Sequence, residues 1–304
     1  MNTPDTFTQL SERVWAYLQP NQGWCVSNAG VIAGSHTALI VDTLATERRT
    51  REFLSKVTEV IPPDVEITAV NTHAHGDHTF GNCLLPANCS IYGTAETVSE
   101  MKTVGLGLQQ LWPQVDWGDI AVVPPNRIIS EPTIVDLGGG VQVILRPEPH
   151  SHTAGDVSVW YPDDRILFAG DLIMNQVTPF FLFGDVKKGS EVITTLGRLD
   201  PTVLVAGHGP LGDPQTMISS NIQYCNWIQE QASRVAHAGV PIEELALWIE
   251  PSPLQGWSES ERDIVNVYAE AVRNGVDGYG SQIDVDLTFG LMRQVLGHEP
   301  LTSA

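Results

Sequence analysis

The chain has 304 residues, 42% of them hydrophobic, which is enough for a sizeable core and more than one average domain requires. At this length roughly 75% of the unfolded surface can be buried, so no disulfide or metal is needed merely to fold, and disordered or collagen-like organisation is excluded. Lys and Arg number 16 against 36 Asp and Glu, for a net charge of −20, and the basic residues are scattered apart from Arg48-Arg49 and Lys187-Lys188. A nucleic-acid partner needs a cationic track and finds none here; the acidic surface disfavours polyanions.

From the N-terminus onward, Met1 to Pro20 lacks a basic start, an apolar run and a small-residue cleavage site, so no secretory leader is expected. Strands are expected at Val14 to Leu18, Cys25 to Ile32, Thr37 to Val41 and Val65 to Asn71, from short apolar or alternating runs. Between the last two, Thr46 to Ile61 sets Phe53, Leu54, Val57 and Ile61 on one helical face before Pro62-Pro63 stops it. Further strands follow at Val141 to Leu145, Val157 to Tyr161, Ile166 to Ala169 and Val203 to Ala206, with a weaker helix at Lys187 to Leu199. The strand-rich part divides into two halves, each ending in a helix, as two packed sheets with outer helices would require.

Near Leu211 the pattern changes to longer helices, which divides the chain into residues 1–211 and a helical extension, 212–304, that packs on the same domain or on a second subunit as a homodimer. Asp213 with Pro214 reads as an N-cap, followed by Ile218, Ile222, Cys225, Ile228, Ala232 and Val235 at helical spacing. Ser258 with Glu261 forms a capping-box signature before Ile264, Tyr268 and Ala271, with Gly275 placed to end that helix; another is expected from Val285 to Leu296. No run approaches the ~20 apolar residues of a membrane span. Cys25, Cys83, Cys89 and Cys225 show no CxxC pattern, which suits reduced thiols in a cytoplasm.

The chemistry concentrates in Asn71-Thr72-His73-Ala74-His75-Gly76-Asp77-His78, directly after an apolar strand. Extended residues two apart share a face, so His73 and His75 can grip one ion. A turn at Gly76 then aims Asp77 and His78 at a second. Imidazole and carboxylate ligands suit zinc, iron or manganese, and the lack of a nearby cysteine argues against a closed structural zinc site. His152, Asp171 and His208 each follow a strand and a small residue or two, as expected if the strands aim their ends at one edge; Asp171, beside Gly170, can approach both ions. His150, two residues before His152, is the competing ligand candidate. His36, His237 and His298 lie outside any motif.

HxHxDH, then HTAGD, AGD and GHG, in this order over roughly residues 10 to 211, resemble the metallo-β-lactamase superfamily. The resemblance implies a four-layer αββα sandwich, an α/β fold with the metals at one edge. It implies His73, His75 and His152 at a first site, Asp77, His78 and His208 at a second, and Asp171 between. Asp42 matches the family's early aspartate, which orients the metal-binding loop. The family's Thr-x-Gly selects His152 over His150. The implied cofactors are two divalent ions, zinc foremost, and the implied reaction is attack of a bridging hydroxide on a carbonyl carbon of a small ester, lactone, thioester or amide. Asp77 is expected to orient the hydroxide and pass its proton to the leaving group. Asn28, Trp112, Phe180 and Trp24 are candidate substrate contacts.

Departures from subfamilies narrow this. One-cysteine zinc β-lactamases carry Cys where Asp171 stands, flavin-linked diiron reductases carry Glu where His75 stands, and the basic residues that glyoxalase II uses have no evident counterpart. The acidic balance opposes the superfamily's nucleases and phosphodiesterases. The competing readings are an iron-dependent oxidoreductase or dioxygenase on the same ligands, a β-lactamase-like or glyoxalase II-like hydrolase, and a binding protein that kept the fold.

Overall fold

A computed structural model describes residues 5–19, 23–148 and 150–304; residues 1–4 and 20, part of the stretch read as lacking a leader, lie outside these. Strands β1 (Thr6–Gln9), β2 (Val14–Leu18), β3 (Ala29–Ala33) and β4 (Thr37–Val41) pair antiparallel in sequence order, and β5 (Glu66–Val70), β6 (Ser90–Gly93) and β7 (Arg127–Ile128) extend the same sheet in parallel. Parallel pairing needs a crossover. Helix α1 (Glu47–Val60) supplies it between β4 and β5; Thr46 caps its N-terminus by accepting a hydrogen bond from the Arg49 N–H. The short α2 (Gly76–Thr79) follows β5, and α3 (Ala95–Val104) with α4 (Leu108–Leu111) connects β6 to β7.

The second sheet contains β8 (Thr133–Gly138), β9 (Val141–Glu148), β10 (Asp156–Tyr161), β11 (Ile166–Gly170) and β12 (Val203–Ala206), in the order β12-β11-β10-β9-β8. Only β11 and β12 run parallel, joined by α5 (Val186–Gly197). The chain ends in α6 (Pro214–Ala238), α7 (Leu245–Trp248), α8 (Arg262–Arg273) and α9 (Val285–Leu296).

Strand periodicity separates the layers. Ile32, Leu39, Val41 and Val70 from one sheet meet Leu137, Val143, Val159, Phe168 and Val205 from the other in a shared core. Their neighbours Val31 and Ile40 point the opposite way, onto Phe53 and Val57 of α1. Leu167, Ala169 and Leu204 likewise leave the far face of the second sheet for a third cluster with Val192, Ile193, Cys225 and Ile228. The result is the αββα sandwich with C-terminal helices. The extension continues this third cluster through Tyr268, Ala271, Leu291 and Met292, and α6 lies against α5 and α8.

Three local expectations change. The strand foreseen over Cys25 to Ile32 begins at Ala29, because Cys25 adopts a positive φ of 64° and breaks the extended run. The Ser258–Glu261 capping box does not form: α8 starts at Arg262, the Ser258 hydroxyl donates to the Gln176 carbonyl, and the Glu261 carboxylate accepts from the Trp24 indole N–H at 2.9 Å. Tertiary partners outcompete the local cap. Finally β1, β6, β7, β8 and α3 were not foreseen, being short, edge-located or weakly patterned. Asp213 does cap α6, accepting from the Thr216 N–H at 2.8 Å.

Beneath α6 and α8, the buried Tyr224 hydroxyl donates to Asp263 at 2.7 Å and accepts from the Asn266 amide at 2.8 Å. Burial lifts the Asp263 carboxyl to about 6, against the lowering by the Tyr224 hydrogen bond. The native state therefore binds this proton more tightly than the unfolded chain, and the group's contribution to stability declines as pH rises from about 4 through about 6. Asp263→Asn should stabilise the protein more at pH 7.5 than at pH 4.5 in urea titrations; an equal effect at both would refute this linkage.

Candidate metal centre

Five loops leave strand ends on one edge of the sandwich. The β5–α2 loop brings His73, His75, Asp77 and His78, the β9–β10 loop brings His152, and Asp171 and His208 follow β11 and β12. Asp42 follows β4. All seven candidate ligands converge: one ligand atom each from His73, His75, His152 and Asp171 lies within 4.8 Å of the others, and so it is for Asp77, His78 and His208.

The first group centres on His75 Nδ1, which lies 3.0 Å from His73 Nε2 and 3.1 Å from His152 Nε2. Imidazoles so arranged cannot each be satisfied by one another, because every pair needs one proton on one of two nitrogens. Tetrahedral nitrogen ligands at ~2.0–2.1 Å from an ion stand about 3.3 Å apart, close to the spacing here. In the second group His208 Nε2 is 3.3 Å from Asp77 Oδ2, and His78 Nε2 is 3.8 Å from the same oxygen. Asp171 stands between the groups, its oxygens 3.2 Å from His78 Nε2, 3.4 Å from His208 Nε2 and 3.5 Å from His152 Nε2. His78 Nε2 and Asp171 Oδ1, facing each other at 3.2 Å without hydrogen-bond geometry, are buried and have no other partner. Orphaned buried atoms of this type call for a cation, so the residues fit metal ions.

The titration directions agree. Burial alone would depress His208 and His78, but Asp171 with Asp77 outweighs it at His208, lifting it to about 9, and Asp171, Asp42 and Asp77 raise His78. Burial would raise Asp171 and Asp77, yet His208 and His78 hold both carboxyls below the usual range. His73, buried and facing His78, is held well below an ordinary imidazole. The carboxylates thus favour positive charge at His78 and His208, the bias that a cation site needs.

Supporting groups fix the orientation of several ligands. Asp42, in the left-handed region at φ 59°, accepts from the Thr72 N–H and hydroxyl at 2.7 Å each and pairs with His78 Nδ1 at 2.8 Å, leaving Nε2 for the site. His208 Nδ1 pairs with the Val26 carbonyl at 3.0 Å to the same effect. The Ser27 hydroxyl donates to the Asp77 carbonyl at 2.6 Å.

Asp156, the last residue of HTAGD, accepts from the N–H groups of Ser151, His152 and Thr153 and from the Thr153 hydroxyl. Burial lifts it to about 7 despite these bonds. It holds the His152 loop closed, and the spacing in HTAGD was its only signal. Gly207 permits another close approach: a Cβ there would meet Asp171 Oδ1 at 1.9 Å.

The centre floors a cavity of about 600 Å³. Its walls come from α3 and α4, the loop before α5, and α9, so the C-terminal extension contributes directly through Val285 and Phe289. Trp24, Trp112 and Phe180, the aromatic candidates for substrate contact, line it. Asn28 does not. Its amide donates to the Ala206 and Gly209 carbonyls and accepts from the Gln19 N–H, so it ties the two sheets together as a buried strut. Trp117 is buried behind Phe80, and His150, His36, His237 and His298 are exposed. The Trp24 and Trp112 wall is braced by residues 300–302. Trp24 N–H donates to the Leu301 carbonyl, Thr302 Oγ1 donates to the Trp24 carbonyl, and the Trp112 indole donates to Pro300. Arg49 holds Ser303 and Asp5 together.

Two substitutions probe this support. Asp42→Asn keeps the side-chain shape but removes the charge behind His78, and should weaken metal affinity about 10- to 100-fold in chelator competition; unchanged affinity would deny Asp42 an orienting role. Gly207→Ala must displace Asp171 and should lower both metal content and stability, the latter by about 1–3 kcal/mol; full metal retention would count against Asp171 as a ligand.

The profile described as the metallo-beta-lactamase superfamily matches residues 22–208. Metallo-beta-lactamase type 2 of Bacteroides fragilis is 26% identical over 239 residues, 75% of this chain and 88% of that protein. The solved metallo-beta-lactamase from Pontibacter korlensis overlays with a TM-score of 0.59 at 21% identity, over 73% of this chain and 99% of that one. The stereoselective inverting sec-alkylsulfatase from Pseudomonas sp. overlays with a TM-score of 0.72 at 19% identity, over 92% of this chain and 51% of that one, and at that coverage the overlay extends into the C-terminal helices. The solved structures share the fold; with a profile spanning more than half of its residues, the chain belongs to the metallo-beta-lactamase superfamily.

Proposed function

We propose that this protein is a dinuclear metal-dependent hydrolase that cleaves a carbonyl ester, lactone, thioester or amide of a small molecule. The observation that carries this reading is the convergence of five imidazoles and two carboxylates, with orphaned buried atoms among them, at the floor of an open cavity. In this reading His73, His75 and His152 hold one ion, Asp77, His78 and His208 hold the other, and Asp171 serves both. When bound, two divalent ions lower the pKa of a water toward about 7 and polarise the substrate carbonyl. Asp77 lines the cavity and orients the attacking water, then passes a proton to the leaving group. His75, Asp171 and His208 also face the cavity, whereas His73 and His78 lie behind it.

Zinc suits a set of nitrogen and oxygen donors, and iron or manganese accepts the same set. The four thiols are free, which suits a reducing cytoplasm, and no described helix is long and apolar enough to cross a membrane. Because relatives are named as a β-lactamase and an alkylsulfatase, a lactam and a secondary alkyl sulfate belong beside esters, lactones and thioesters in the substrate panel.

The test begins with metal content. Protein purified without added metal should hold close to two equivalents, lose turnover on chelation and regain it with zinc. Asp77→Ala should cut kcat by about 10²-fold or more while metal stays at the first site; an unchanged kcat removes Asp77 from the mechanism. Stoichiometric iron with oxygen-dependent turnover would replace the hydrolase by an oxygenase.

A further inference from the structure

Beyond the metal cluster, the cavity wall carries two charged side chains among the described residues, Arg262 and Glu100. Arg262 is engaged through both terminal nitrogens, and its one unpartnered donor, Nε, is buried away from the cavity space. The residue is 3% exposed, pairs with Glu259, donates to the Thr178 carbonyl at 2.9 Å, and lies over the Trp24 ring at 4.2 Å and within 5.6 Å of the Phe180 ring. A guanidinium so stacked and paired presents its apolar sandwich to the cavity and keeps its charge behind it. Glu100 adds a half-buried carboxylate. An anionic group on the body of a substrate therefore meets no free cation and one like charge.

The remaining wall is apolar, and the apolar surface continues outward. Of the ten large apolar side chains exposed among the described residues, four, Val104, Leu111, Phe183 and Val285, stand on this cavity. Phe183 also reaches His75, with ring centroids 6.2 Å apart, so the apolar path runs from the mouth to the ligands. Isolated exposed apolar residues are ordinary, but a cluster continuous with an apolar cavity marks a binding surface.

We infer that the cavity selects an uncharged substrate whose non-reacting body is an extended alkyl or aryl group, seated between α3–α4 and α9 with Phe289 and Trp112 as its walls. The inference rests on the hydrolase reading only for where the reacting carbonyl sits. Anionic lactams, carboxylated thioesters and alkyl sulfates bearing a second charge fall outside this class.

The test uses metal-loaded protein and n-alkyl hydroxamates, which share one metal-directed head, with tryptophan fluorescence as the readout. From acetohydroxamate to octanohydroxamate, affinity should rise roughly three- to fourfold per buried methylene. Suberic acid monohydroxamate, of equal length but ending in a carboxylate, should bind at least about tenfold more weakly than octanohydroxamate, because its charge is buried without a partner. Phe289→Ala should flatten the slope. A flat series in the native protein, no binding of octanohydroxamate, or tighter binding of the carboxylated member would each overturn the assignment. Nitrophenyl esters of the same acids separate the two readings. The expected binding series without turnover of any ester sinks the hydrolase and keeps the cavity assignment, whereas turnover favouring the carboxylated ester keeps the hydrolase and sinks the assignment.

Discussion

Two carboxylates and four imidazoles are buried beside a half-buried fifth where an ordinary sandwich would place apolar side chains, and the rest of the molecule is arranged around that imbalance. Their desolvation is unfavourable, and the two acids draw charge onto His78 and His208 to compensate. Such a cluster persists only if the backbone that carries it is held from several directions. Asp42 secures one loop and Asp156 another, and Asn28 locks β12 to the first sheet through the carbonyls on either side of His208. Because these struts come from both sheets, sandwich packing and ligand geometry depend on each other.

Much of this was legible in the primary structure, for physical reasons. A strand followed at once by HxHxDH places ligands on a known face, and the small residues before Asp171 and His208 leave room for close backbone approach. The helices of the extension announced themselves through spacing and, at Asp213, a cap. What was hidden depended on partners distant in the chain. Glu261 and Ser258 look like a local capping pair, but Trp24 and the Gln176 carbonyl compete for them across the fold. Asn28 looks like a pocket residue until the carbonyls of residues 206 and 209 arrive beside it. Asp156 shows the converse, since its acceptors are satisfied within five residues, yet its importance comes from the imidazole its loop carries.

The C-terminal helices change the character of the site. The centre alone is a polar floor, while α8 and α9 supply Arg262, Val285 and Phe289 to the walls above it. Arg262 is the hinge of this arrangement: from one helix it reaches Glu259, the Thr178 carbonyl and two aromatic rings, so α8 is keyed to the cavity as firmly as to the core beneath. Reactivity and selectivity are therefore built by different parts of the chain.

The bracing of Trp24 and Trp112 by residues 300–302 extends this division to a segment remote from both in sequence. Through Arg49 the Ser303 carbonyl next in the same segment is fastened to Asp5, just ahead of β1. A substitution at Thr302 would therefore tug on an aromatic wall far away in sequence and change which molecules are accepted while the ligand sphere stays the same.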